Sequence, residues 1–254
     1  MNLGVVASAK LAKILSKKYS DTSWMSRTLK KSNDTHVVVA PSFTALIEVA
    51  RFLQKSNIAL CGQDMFWQEK GAYTGQVSPL MLSEVGCDYV ILGHSEKRKY
   101  AYETYDRVNK KVKTALHYGM IPIVCVGESM EERQTGLSSQ ILLEQLSEAF
   151  DGVVLTNEQL LLIAYEPIWA IGTATPATSQ DAEEMHAFIK QVCADIFPQD
   201  VVEESVKVLY GGSVVAENAA SFTQKPHIDG VLVGGASLKS KEFLAIISEV
   251  RKAY

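Results

Sequence analysis

Short apolar runs alternate with longer segments whose apolar residues recur at helical spacing. The apolar runs predict seven strands, at 37–40, 58–61, 89–92, 121–126, 160–164, 206–210 and 230–233. The amphipathic segments predict helices at 11–19, 44–55, 79–85, 104–118, 138–150, 179–196 and 241–252, with Ser179 as the N-cap of the sixth. Because strands and helices alternate, the pattern predicts an α/β fold with a parallel sheet, in a single domain over residues 1–254.

Pro41 follows the first predicted strand, and polar residues or glycines follow the other six. Because the carboxyl ends of parallel strands meet at one edge of a sheet, these residues are expected to line a common site. One such strand end is uninformative, whereas seven on one edge indicate a ligand site. They are Pro41, Gly62-Gln63, Gly93-His94, Gly127-Glu128, Glu166-Pro167, Gly211-Gly212 and Gly234-Gly235.

Glu166 is the first candidate catalytic residue. It directly follows the apolar run 160–164 and Tyr165, and Pro167 ends the strand because proline cannot donate to a ladder. A carboxylate at the carboxyl end of a buried strand is where α/β barrels keep their catalytic groups. The small residues that follow are typical of a loop that closes over a ligand. The alternative is a solvated Glu at a strand end.

His94 is the second candidate. It follows the strand 89–92 and begins a turn, where a helix N-terminus disfavours the protonated ring. A neutral imidazole can donate a hydrogen bond to a carbonyl oxygen. Ser95 and Glu96 are candidate supporting residues, with Glu96 either an acceptor for the ring or a charge at the helix N-terminus. A lone His is more often structural, and the other four histidines lack this context.

Two glycine pairs late in the chain are candidates for phosphate binding. Gly211-Gly212 precedes Ser213, and Gly234-Gly235 precedes Ala236, each between a strand and a helical segment. Backbone N–H groups at such turns form anion sites, and barrels bind phosphate after their last strands. The alternative is that these glycines only allow tight turns.

Composition narrows the functional classes. The net charge is -4, so the chain has no excess of positive charge, and no nucleic acid partner is expected. No apolar run is long enough for a membrane span. The four cysteines are widely spaced, which predicts neither zinc nor a disulfide framework, and fits a cytoplasmic protein with reduced thiols.

Taken together, these residues resemble the triosephosphate isomerase family. The resemblance includes Gly93-His94-Ser95-Glu96 and the run from Ala164 to Thr173, and extends from about residue 37 to the C-terminus in family order. The matching segments are 39–41, 71–75, 91–98, 124–128, 164–173, 209–213 and 230–238.

The resemblance implies a TIM (β/α)8 barrel that interconverts dihydroxyacetone phosphate and glyceraldehyde 3-phosphate through an enediolate, in glycolysis and gluconeogenesis. Glu166 would be the base and neutral His94 the group that polarises the carbonyl. Gly172, Ser213, Gly234 and Gly235 would hold the phosphate. The family needs no cofactor or metal and forms homodimers, here through the loop from Gln63 to Gln76.

Two departures from the family pattern stand out. Family members begin with a strand that ends in Asn-x-Lys-Met-Asn, and here only Met1-Asn2 resembles that motif, so the first strand, the Asn and the Lys have no counterpart. Residues 1–36 are accordingly atypical. The second departure is in the lid, the loop after Glu166 that is expected to close over the ligand. There Gly172-Thr173 runs straight into Ala174, so the hinge at the rear end of this loop is shorter than in the family. The absent Lys is a cation that would face the phosphate and the enediolate, and removal of one partner of a buried charge pair costs about 2–5 kcal/mol of binding free energy.

Three interpretations follow. The chain is an isomerase whose start lies upstream of Met1, or a catalytically impaired phosphate-binding or structural barrel of the same family. In the third interpretation the chain is another barrel enzyme that acts on a sugar phosphate. The pairing of His94 with Glu166 argues against this interpretation.

Overall fold

Seven parallel strands pair in chain order in a computed structural model that describes residues 2–19, 35–171 and 177–253. This order, with helices between successive strands, confirms the predicted α/β barrel class. The strands are β1 (Val38–Val39), β2 (Ala59–Gly62), β3 (Cys87–Leu92), β4 (Ile121–Val126), β5 (Leu161–Tyr165), β6 (Val206–Tyr210) and β7 (Gly230–Val231).

Helices connect these strands and cover the outer face of the sheet. Among the described residues, three short 3-10 helices lie at Phe43–Ala45, Ile168–Ala170 and Gly235–Leu238. The α-helices are α1 (Val5–Lys18), α2 (Leu46–Leu53), α3 (Pro79–Glu84), α4 (Ser95–Ala101), α5 (Tyr105–His117), α6 (Met130–Gln134), α7 (Ser138–Phe150), α8 (Ser179–Ile196), α9 (Gln199–Ser205), α10 (Ala216–Thr223) and α11 (Ser240–Ala253). No helix in the described part of the chain is long and apolar enough to cross a membrane.

Two hydrophobic clusters lie on the two faces of the sheet, because successive side chains of a strand point to opposite faces. Side chains such as Ile91, Ile123 and Leu162 form the inner cluster. Val90 and Ile163, on the same strands, belong to the outer cluster with the helices. The central strands are therefore buried on both faces, which explains why they are continuous apolar runs in the sequence.

The predicted N-cap of α8 was wrong. Thr178, not Ser179, caps this helix: its Oγ1 accepts the N–H of Asp181, whose carboxylate accepts the N–H of Thr178. This reciprocal pair satisfies two N–H groups that a helix start otherwise leaves without partners. Four helices (α4, α6, α9 and α10) were not predicted as separate elements. Each spans at most 8 residues, too few to show a helical period.

The sheet ends at β1 on one side and β7 on the other, and no pairing joins these two strands among the described residues. Barrels of this class close with eight strands. Seven described strands agree with the predicted absence of the family's first strand. Among the described strands, β1 and β7 are therefore the two edges, and an apolar cleft lies between them.

Candidate active site

Glu166 lies directly after β5, and glycines on both neighbouring strands let its backbone fit there. Its N–H donates to the carbonyl of Val126 at 2.7 Å. A Cβ on Gly127 would lie 1.8 Å from the carbonyl oxygen of Glu166, and one on Gly211 would lie 3.0 Å from its Cγ. Any side chain at Gly127 would overlap this backbone. The position of Glu166 and the orientation of its side chain therefore depend on the glycine.

His94 approaches Glu166 from the end of β3. Gly93 has a φ of 69°, which turns the chain so that His94 becomes the N-cap of α4. Nδ1 of His94 accepts the N–H of Glu96 at 3.3 Å, so the ring proton lies on Nε2. Nε2 lies 2.9 Å from Oε1 of Glu166, and the N–H of Ser95 donates to Oε2 at 3.0 Å. The two catalytic candidates are thus in direct contact, not separated by a pocket.

Opposing effects act on the pKa of His94. Burial lowers this pKa, and so does the positive charge of Arg98. The hydrogen bond to Glu166 and the negative charges of Glu166 and Glu96 raise it. The net effect is a pKa above the usual value of a histidine. The neutral ring, protonated on Nε2, is the form that satisfies both hydrogen bonds. The side chain of Glu166 is 1% exposed and that of His94 is 24% exposed, so a ligand reaches the pair from the imidazole side.

Arg98 holds the strand ends beneath the pair, a role that the sequence did not reveal. Its guanidinium donates to the carbonyl of Cys125 at 3.1 Å and to that of Gly127 at 3.5 Å. It also donates to the hydroxyl of Tyr105. Arg98 stands one turn after His94 on α4, so it ties the helix that carries the imidazole to the strand beside Glu166.

A buried ion network supports the turn before His94, and it too was missed. Nζ of Lys111 contacts Glu103 and lies 2.6 Å from Oδ1 of Asp64, whose Oδ2 lies 2.8 Å from Nζ of Lys97. Oε2 of Glu103 accepts the N–H of Gly93 at 3.1 Å. The network therefore fixes the backbone of the residue that precedes the imidazole.

A sequence model described as triosephosphate isomerase matches residues 4–250 of the chain. The chain belongs to this family. The match begins before α1, earlier than the resemblance from about residue 37 indicated.

Curated members of the family are similar over most of their length. The triosephosphate isomerase of Caldanaerobacter subterraneus subsp. tengcongensis is 48% identical over 87% of this chain and 88% of that protein. Those of Dictyoglomus thermophilum and Geobacter metallireducens are 42% and 43% identical, over 86% and 87% of this chain and 87% of each relative.

Three of the residues that the family resemblance assigns to phosphate, Ser213, Gly234 and Gly235, lie beyond the carboxyl ends of β6 and β7. Oγ of Ser213 donates to the carbonyl of Ala170 at 2.8 Å, which links this turn to the segment after Glu166. Gly234 and Gly235 are exposed and begin the 3-10 helix Gly235–Leu238. Their N–H groups lie at a helix start, where no carbonyl precedes them within the helix. Gly172 lies outside the described residues.

Glu128 anchors the start of the segment that follows Glu166. Its Oε1 accepts hydrogen bonds from the hydroxyl of Tyr165 at 3.1 Å and from Nε1 of Trp169 at 2.8 Å. The guanidinium of Arg133 lies 4.2 Å from the centre of the Trp169 ring. The carboxylate therefore joins the end of β5 to Trp169, three residues after Glu166.

The supporting residues differ in how they act. Ser95 contributes its backbone N–H to Glu166. The carboxylate of Glu96 is 77% exposed and 3.9 Å from Nδ1 of His94, in the first turn of α4. Of the two roles considered for Glu96, a negative charge at the helix N-terminus fits better.

The loop expected to reach a partner subunit is exposed. Every residue from 68 to 76 is exposed, and the ring of Phe66 at the base of the loop packs at a tilt against Trp67 and Tyr73, with centroids 4.0 Å and 4.6 Å apart. Thr114 Oγ1 donates to the carbonyl of Trp67 at 3.1 Å. The loop is thus held at its base by aromatic packing and projects its tip from the barrel.

Metal-binding chemistry is not visible in the described residues. They contain no group of three or more His, Cys, Asp or Glu side chains that could hold an ion. The four cysteines are buried and free. Burial raises the pKa of Cys125, so this thiol beneath Glu166 stays protonated at neutral pH.

Proposed function

We propose that the chain interconverts dihydroxyacetone phosphate and glyceraldehyde 3-phosphate by proton transfer through an enediolate. Membership of the triosephosphate isomerase family supports the reaction class. The contact of 2.9 Å between Glu166 and His94 at the carboxyl edge of the sheet is the observation that carries the assignment.

Glu166 is the general base in this proposal. The carboxylate removes a proton from the carbon beside the substrate carbonyl, and the electron pair of the broken C–H bond forms the enediolate. The same carboxyl group returns a proton to the neighbouring carbon, which completes the isomerisation without a redox step. A positioned base contributes about 10²–10⁴ to the rate.

His94 is the electrophile. Its Nε2–H stabilises the negative charge that develops on the carbonyl oxygen and then moves protons between the two oxygens. A neutral imidazole has only one N–H, so it cannot donate to Glu166 and to a substrate together. Substrate binding must therefore break the 2.9 Å contact and free Glu166 to face the carbon.

The phosphate is assigned to backbone N–H groups of Gly172, Ser213, Gly234 and Gly235. The last two stand at a helix start, where N–H groups favour an anion. No cofactor or metal is needed, because the proton transfers use only the carboxylate and the imidazole.

Assembly and location complete the proposal. A homodimer through the loop from Gln63 to Gln76 is supported by the exposed tip of that loop and its fixed base. Four free thiols fit a reducing, cytoplasmic location.

A second candidate is a phosphate-binding barrel with little turnover. The gap that the described strands leave between β1 and β7 favours it, because an open barrel holds its strand ends less rigidly than a closed one. Such a barrel would bind phosphate at the same residues as the isomerase but would catalyse little or no proton transfer.

A coupled assay of both directions separates the candidates, on protein whose mass has been verified. We expect turnover that phosphoglycolate, a stable phosphate-bearing carboxylate, inhibits competitively. Phosphoglycolate binding without turnover would support the impaired barrel, and neither binding nor turnover would contradict both.

A further inference from the structure

The position of α4, the helix that His94 caps, depends on polar contacts. This helix is seven residues long, and each of them is at least partly exposed. Most helices in proteins are held by packing of an apolar face, which α4 does not bury. Two of its basic side chains hold it instead. Nζ of Lys97 lies 2.8 Å from Oδ2 of Asp64, and Arg98 reaches the ends of the neighbouring strands.

The guanidinium of Arg98 holds the end of β4 on both sides of Val126. It donates to the carbonyl of Cys125 at 3.1 Å and to that of Gly127 at 3.5 Å. Successive carbonyls of a strand point to opposite sides, so the carbonyl of Val126 points the other way, and it accepts the N–H of Glu166 at 2.7 Å. One side chain therefore links α4 to the backbone that positions Glu166.

Tyr105, the first residue of α5, presents its hydroxyl to the same guanidinium. Nη1 of Arg98 donates to this hydroxyl as well as to the carbonyl of Cys125. The ring of Tyr105 packs against the outer hydrophobic cluster. Burial raises the pKa of Tyr105, although Arg98 lowers it, so the phenol keeps its proton at neutral pH. The guanidinium therefore has a neutral acceptor beside the two carbonyls.

α5 is a fixed support for this hydroxyl. Nδ2 of Asn109 donates to the carbonyls of Ala149 and Asp151 at 3.0 Å and 2.9 Å, which ties α5 to the end of α7. Lys111, on the same helix, belongs to the buried ion network that also binds the N–H of Gly93. Because α5 cannot shift without breaking these buried contacts, its first residue offers the guanidinium an acceptor at a fixed point.

We propose that Tyr105 is a positioning residue for the isomerase reaction, which it serves by fixing the guanidinium of Arg98. The guanidinium in turn holds α4 and the end of β4 in place, so that the imidazole of His94 and the carboxylate of Glu166 keep their mutual orientation. This inference rests on the proposed function for the reaction that these two groups perform. Arg98 is also the positive charge that acts on His94, against the negative charges of Glu166 and Glu96.

The variant Tyr105→Phe in the full chain keeps the ring, removes the acceptor and so tests the proposal. Without the acceptor Arg98 should turn away from the site. Its lowering effect on the pKa of His94 should then weaken, and NMR of the ring protons should give a His94 pKa above that of the parent. The value of kcat should fall at least about tenfold and KM should change less than about twofold, because the orientation of the imidazole matters in the transition state.

Tyr100→Phe is the matched control. Tyr100 lies on α4 itself and is 71% exposed, so removal of its hydroxyl leaves the guanidinium in place. The kcat of this variant and the pKa of its His94 should equal those of the parent.

A double variant shows whether Tyr105 acts through Arg98. If it does, Tyr105→Phe should cause no further loss of kcat in an Arg98→Met background, because the two residues act as one unit. Circular dichroism checks that each variant folds. If Tyr105→Phe does not, ¹⁵N NMR of the parent decides, since a fixed Arg98 guanidinium shows separate, slowly exchanging Nη protons.

Four results would overturn the proposal: an unchanged or lower His94 pKa in Tyr105→Phe, equal kcat in Tyr105→Phe and Tyr100→Phe, additive losses in the double variant, or fast rotation of the Arg98 guanidinium in the parent. A parent chain without turnover would contradict the proposed function instead, and the titration of His94 would then decide the role of Tyr105.

Discussion

Nε2 of His94 lies 2.9 Å from Oε1 of Glu166, although the two residues follow different strands of the sheet, β3 and β5. The contact exists because Gly93 turns the chain after β3 and Gly127 leaves room for the backbone after β5. It joins the proposed proton donor and proton acceptor before a substrate is present.

This contact predicts the titration of His94. Burial lowers the pKa of the imidazole, Glu166 and Glu96 raise it, and Arg98 lowers it. The Glu166→Gln variant removes the negative charge, so the pKa of His94 should fall below that of the parent. NMR of the ring protons across pH measures it. An unchanged or higher pKa would show that Glu166 does not control the imidazole.

Gly127 should be required for the position of Glu166. In Gly127→Ala the new Cβ would overlap the carbonyl of Glu166, so the strand end must move. A displacement of about 1 Å can cost ~10²-fold in activity, so we expect at least that loss, accompanied by a lower unfolding temperature. Gly4→Ala is the matched control, since its Cβ would meet no atom within 4 Å. Equal activity of the two variants would contradict the account.

The buried ion network should contribute to stability. Lys111→Met leaves Asp64 and Glu103 without the ammonium group between them, and breaking a buried pair costs about 3–5 kcal/mol. The neighbouring Lys110 forms an exposed pair with Asp106, so Lys110→Met should change the free energy of unfolding by less than about 0.5 kcal/mol. Urea unfolding compares them. Similar losses in both variants would mean that the network stabilises little.

His186 predicts a loss of stability in acid. Burial lowers its pKa to about 3, and Nδ1 contacts the carbonyl of His227 at 3.3 Å. In the unfolded chain a histidine binds a proton near pH ~6.5, so below that pH the unfolded state holds the extra proton. Stability should therefore fall as pH decreases from ~6.5 towards 3, by about 1.4 kcal/mol per pH unit.

The His186→Gln variant isolates this effect. Its unfolding free energy should depend less on pH than that of the parent between pH 6 and pH 4, even if it is lower at pH 7. Urea titrations at several pH values provide the comparison. Parallel pH profiles for the parent and the variant would exclude His186 as the source.

The sequence predicted the strands and the paired catalytic candidates because both follow local rules. The strands 121–126 and 206–210 have the predicted bounds, and Glu166 and His94 follow strands whose carboxyl ends meet. The long-range polar contacts were not predictable. Lys111 and Asp64 are 47 residues apart, and Glu128 and Trp169 are 41 residues apart, with no periodic pattern to connect them. Only the packed fold brings such pairs together.

Deuterium incorporation tests the central claim most directly. Dihydroxyacetone phosphate is incubated in D2O with the parent chain and with Glu166→Gln, and NMR follows the carbon-bound positions of substrate and product. With the parent, deuterium should enter the position beside the carbonyl, because the carboxyl group that holds the abstracted proton exchanges it with solvent. With Glu166→Gln the incorporation should fall at least 10²-fold. No incorporation by the parent, or equal rates for the two proteins, would contradict the assignment of Glu166 as the base.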